Sequence, residues 1–101
     1  MSIDVQLNTD NNTYTITING LFDFKLANAF RDAYSNISGR DIGVVVDMRN
    51  VTCIDSSALG MLLIMKKTLD LPDRAIKIIN NNEYVGKIFR ITRFDKKFCI
   101  E

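Results

Sequence analysis

The sequence predicts an α/β fold, a mixed sheet of four to five strands with about three helices packed on it, and three observations carry that expectation. Two short N-terminal runs alternate apolar and polar residues, the period of half-buried strands. Val44-Val45-Val46 is a β-branched run suited to a strand covered on both faces. The apolar run after Ser57, through Met61, Leu62, Leu63, Ile64 and Met65, is too long for a strand and is expected to be helical. A helix, such a strand and another helix in succession imply right-handed crossovers and a partly parallel sheet.

Taken in order, Ile3, Val5 and Leu7 alternate with Asp4, Gln6 and Asn8 as a first strand, and the polar cluster Thr9 to Asn12 turns the chain. Tyr14, Ile16 and Ile18 between threonines give a second strand, expected to pair antiparallel with the first and to end at Gly20. Leu26, Ala27, Ala29, Phe30, Ala33, Tyr34 and Ile37 recur at helical spacing, so Asp23 is the expected N-cap of a helix from about Phe24 to Asn36, which closes at Ser38-Gly39. A buried strand from about Gly43 to Met48 comes next, then a polar loop over Arg49 to Ile54. The second helix is expected from about Ser57 to Leu69, stopped by Leu71-Pro72-Asp73. Ala75 to Ile79 makes a fourth strand, about Asn82 to Ile91 a third helix burying Val85, Ile88 and Phe89, and Phe98 to Ile100 one last short strand, with Phe94 sealing the third helix.

Length allows one core, so residues 1–101 are expected to form a single domain. A net charge of +1 with scattered Lys and Arg lacks the basic stripe of a nucleic-acid binder. Two distant cysteines, Cys53 and Cys99, and no histidine argue against a metal site or a disulfide framework. With no signal-like segment and no apolar run long enough for a bilayer, the expectation is a cytoplasmic protein with free thiols, no cofactor and no membrane partner.

The chemistry concentrates at Asp55-Ser56-Ser57, where a helix begins. A first helical turn presents backbone N–H groups without internal partners and the positive end of the dipole, so it tolerates a phosphate. Asp55 or Ser56 is the natural N-cap, and from helix chemistry alone both are caps and nothing more. On the helical wheel Leu59, Leu62, Met65 and Leu69 share a stripe, and Met61, Leu63 and Ile64 broaden the apolar surface. The broadening reads either as a deeply buried helix or as an exposed apolar patch beside the serines that marks a protein partner. Serine catalysis would need a general base, and the chain has no histidine; Cys53 reads as a packing residue rather than a nucleophile. No enzyme is expected.

A hydrophobic strand ending in Asp47, a loop and then Asp55-Ser56-Ser57-Ala58-Leu59-Gly60 resemble the D-S-S-G-L-G phosphorylation motif of the STAS domain, and within that family the bacterial anti-sigma factor antagonists. Gly20-Leu21-Phe22-Asp23 is similar to the family's G-x-L-D turn, and Ile91 to Ile100 to its T-G-L-D-K-L-F ending. The resemblance implies the STAS fold, here without the C-terminal helix that many members carry after the last strand. It implies a partner switch: the unphosphorylated form binds an anti-sigma factor that is also a serine kinase, phosphorylation of Ser56 breaks the complex, and a metal-dependent serine phosphatase restores it. Asp23, Asp55, Ser57, Gly60, Met61 and Ile64 would form the partner-binding surface. Ala58 departs from the motif's usual glycine, which stiffens the helix start. The competing expectation within the family is a STAS subunit or module that binds a transporter ATPase or another non-sigma regulator.

Overall fold

The computed structural model describes residues 3–101, and among them five strands form one sheet in the order β1-β2-β3-β4-β5. β1 (Ile3–Asn8) and β2 (Thr13–Phe22) pair antiparallel, with Ile3 opposite Ile18 and Leu7 opposite Tyr14. β3 (Gly43–Ile54), β4 (Ile76–Ile79) and β5 (Cys99–Ile100) add to β2 in parallel, so Val46 sits between Ile16 and Ile78. The crossovers are α1 (Ala27–Ser35), α2 (Ser56–Thr68) and α3 (Glu83–Ile91), the α/β architecture that the sequence predicts.

Each crossover steps to the next strand in the same direction, and one hand repeated three times stacks the helices on one side of the sheet. Burial follows: Tyr14, Ile16, Ile18, Val44, Val46, Met48, Ile76 and Ile78 are buried against the helices, whereas Thr13, Thr15, Thr17 and Lys77 on the other face meet water. Two aromatic chains fill the layer between sheet and helices. Phe22, Phe30 and Tyr34 lie 5.3 and 5.5 Å apart between ring centroids, and Phe89, Phe94 and Phe98 lie 5.7 and 5.4 Å apart. The Tyr14 hydroxyl donates to the Ala33 carbonyl and ties α1 to β2.

Several boundaries differ from the sequence expectation, each for a physical reason. Gly20, at φ +85°, does not end β2, which continues to Phe22 through a bulge. The expected polar loop from Arg49 to Ile54 is strand, and β3 is 12 residues against the 10 of β2, the excess absorbed by two register shifts. Those shifts return Val51 and Ile54 to the core after the alternation of Val44, Val46 and Met48. The first helix opens as a 3-10 turn (Phe24–Leu26) and ends at Ser35. α2 begins at Ser56, one residue early, β4 begins at Ile76 with Ala75 exposed outside it, and Asn82 caps α3 by accepting the Val85 N–H at 2.8 Å. Of the expected inward residues of β1 only Ile3 is buried; Val5 and Leu7, on this outermost strand, are about half exposed.

Candidate functional site at the mouth of α2

β2 and β3 run parallel and finish side by side, Leu21 opposite Cys53 and Phe22 opposite Ile54. The next residue in each chain segment is an aspartate in extended conformation, Asp23 and Asp55, and each caps the helix that follows. An Asp23 carboxylate oxygen accepts the Lys25 N–H at 3.0 Å. An Asp55 carboxylate oxygen accepts the Ala58 N–H at 3.0 Å and the Ser57 hydroxyl at 2.5 Å. Strand register therefore brings two carboxylates 32 positions apart in sequence to one edge of the sheet, the carboxyl-end crevice where α/β folds place ligands. Both line one shallow cavity of about 110 Å³ with Leu21, Phe22, Cys53 and Ile54.

Asp55 is the N-cap, which resolves the choice between it and Ser56. Ser56 becomes the first helical residue, exposed, with a hydroxyl that takes part in no hydrogen bond among the described residues. Ser57 is half-buried and its hydroxyl is committed to Asp55. The hydrogen bond from that hydroxyl, with the Ala58 amide next, holds the Asp55 carboxyl below the usual carboxylate range. Two adjacent serines thus have different chemistry: one oxygen is open to solvent at the positive end of a helix, the other is engaged in the cap.

Down α2, Ala58, Leu62 and Met65 are buried and Leu59 and Met61 are half-buried. Leu63 and Ile64 are exposed, Ile64 at 58%. The broadened apolar surface is therefore a patch at Leu63 and Ile64 and packing at Met61. Gly60 has no heavy atom within 4 Å of where a Cβ would stand, so it faces open space. Ser56, Gly60 and Ile64 fall on successive turns of the same face, with Ser57 and Met61 beside them. Asp23 and Asp55 lie at its upper end.

Sequence reasoning missed Leu21 and Phe24, exposed at 61% and 67% on either side of Asp23, and Cys53 in the cavity wall. The signal was the continued alternation Ile18, Gly20, Phe22, which turns Leu21 outward; taking Gly20 as a stop concealed it. Asp47 is buried in mid-strand rather than at a strand end. Its carboxylate accepts the Arg49 backbone N–H at 3.0 Å, the Arg49 guanidinium at 3.1 Å and the Asn80 side-chain amide at 3.1 Å, away from the cavity wall. Among the described residues no group of His, Cys, Asp and Glu side chains is placed to hold a metal ion, and no helix is long and apolar enough to cross a membrane.

Comparison with known proteins bears on the same stretch. The STAS domain family model matches residues 4–101. A STAS-domain containing protein of Pseudomonas aeruginosa is 39% identical over 100 residues, covering 99% of each chain. The anti-sigma-B factor antagonist of Staphylococcus aureus is 24% identical over 95 residues, covering 91% of this chain and 86% of that one. The structure of the Bacillus cell fate determinant SpoIIAA in its phosphorylated form superposes with a TM-score of 0.69 at 16% identity, over 98% of this chain and 90% of that chain, a likeness of fold. With two aspartate-capped helices rising from a parallel strand pair, the serine pair at one of them and a family model spanning all but its first three residues, this chain belongs to the STAS domain family.

Proposed function

We propose that the chain is a phosphorylation-controlled protein-binding switch whose phosphate acceptor is Ser56. In its unphosphorylated form it binds an anti-sigma factor that doubles as a serine kinase, and so releases that protein's partner regulator. Phosphorylation at Ser56 blocks the complex and a metal-dependent serine phosphatase reverses it. The observation that carries this reading is the contrast between the open, unpartnered Ser56 hydroxyl and the Ser57 hydroxyl held by Asp55. Similarity to an anti-sigma-B factor antagonist, and a fold shared with SpoIIAA in its phosphorylated form, support the same class of activity.

The physics of the switch is local. A phosphate on Ser56 adds roughly 1.5 to 2 negative charges and three acceptor oxygens. The free amides of the first α2 turn and the helix dipole tolerate it within the chain. A partner pressed over Ser56, Gly60 and Ile64 with Asp23 and Asp55 at its rim would have to bury that charge, at a cost of several kcal/mol, and each ~1.4 kcal/mol is about tenfold in affinity. No rearrangement of the fold is required. The chain acts by adhesion rather than catalysis: it has no histidine to activate a serine, and its relatives include a protein named an anti-sigma-B factor antagonist.

Incubation with the cognate kinase and ATP is expected to add one phosphate, seen by intact mass and placed on Ser56 by fragmentation. Ser56→Ala removes it and Ser57→Ala does not. Phosphate recovered on Ser57 or on any residue outside this turn would overturn the assignment.

A further inference from the structure

We infer that the outer face of α2 is also a self-association surface, on which a second copy of this chain docks antiparallel and covers Ser56. The inference uses the surface of the proposed switch but stands without it, because the argument is the self-complementarity of the face. At 3.6 residues per turn, Ser56, Lys67, Gly60 and Ile64 lie within an arc of about 80°, opposite the buried Ala58, Leu62 and Met65. The upper end is acidic, with Asp55 and Asp23 offset in part by Lys25 on the neighbouring turn. The lower end is basic: Lys66 is neutralised by Asp73 at 2.8 Å, while Lys67 and Lys97 line one cleft with a single further carboxylate, Asp70, and Lys67 is in no ion pair among the described residues.

A two-fold axis at the height of Leu62 pairs these ends crosswise. It sets Ile64 of each copy over the open Gly60 of the other, flanked by Leu63 and Met61, and brings Lys67 of each to the Asp55-Ser56 turn of the other. Gly60 has a use here that the isolated chain does not provide. Glycine in a helix interior is less stable than alanine, no internal contact at Gly60 requires the missing side chain, and a bare position lets a second helix approach closely. The exposed apolar patch at Leu63 and Ile64 is covered by the same docking. Self-association then competes with any partner or modifying enzyme that needs Ser56.

Sedimentation velocity on the full chain from about 1 μM to about 1 mM, at low and high salt, reads this directly. The expected result is a concentration-dependent dimer, weakened about tenfold or more by Lys67→Glu, by Ile64→Ser and by high salt, and unchanged by the control Lys87→Glu on α3, with circular dichroism showing each variant folded. Monomer at every concentration, or a dimer indifferent to both Lys67→Glu and Ile64→Ser, overturns the inference. Either result leaves the phosphate assignment intact, since that is read by mass on Ser56.

Discussion

Asp55 holds the start of α2 with a single carboxylate oxygen that accepts from both Ser57 and Ala58. A carboxyl held below its usual range in the folded chain stabilises fully above that range and loses its contribution as pH falls through the folded value. Asp73, lowered by its contact with Lys66, behaves alike. Asp55→Asn keeps a side-chain cap but removes the charge, and Asp55→Ala removes both. Thermal melts are therefore expected to rank wild type, Asp55→Asn, Asp55→Ala in falling order near neutral pH. The gap between wild type and Asp55→Asn narrows below about pH 4. A gap that stays constant down to about pH 3 would show that the charge does not matter. The residue pattern Asp-Ser-Ser made this turn visible in the sequence; which serine is free could not be read there, because the answer is a hydrogen bond from Ser57 to Asp55.

The strand β3 is the element whose form the sequence concealed. Its inward residues, Val44, Val46, Met48, Val51 and Ile54, are spaced by two, two, three and three, so the period of a strand breaks at Met48 and the polar Arg49-Asn50 pair looks like a loop. Bulges restore the phase, and they are features of pairing with β2 that no local window contains. The helices were legible because their apolar positions recur at helical spacing; their ends slipped by one or two residues where a 3-10 turn or a cap intervened. Asp47, mid-strand and buried, fastens Arg49 just beyond it and Asn80 at the end of β4. Asp47→Ala removes those bonds, and because their donors on Arg49 and Asn80 are exposed and can turn to water, the expected cost is about 0.5–1.5 kcal/mol in denaturant unfolding, while Asp47→Asn loses less. Equal stability of Asp47→Ala and wild type would show that this cluster does not secure the sheet.

Across the whole molecule, charge is divided along the chain: four basic and seven acidic residues in 1–56, nine basic and five acidic in 57–101. The aspartate-rimmed end of α2 belongs to the first group and its lysine-bearing end to the second, so any docked surface meets opposite fields at the two ends of one helix and is oriented by them. A mostly parallel sheet with its helices on one side makes this possible, because every crossover helix begins just past a strand end and the caps converge. The central claim is that phosphate on Ser56 blocks binding of the kinase at that face without a change of fold. Calorimetric titration of the modifying kinase with unphosphorylated and Ser56-phosphorylated chain tests it most directly. The expected result is an affinity loss of about 100-fold or more, roughly 2.8 kcal/mol, with unchanged circular dichroism. Equal affinity of the two forms would contradict it.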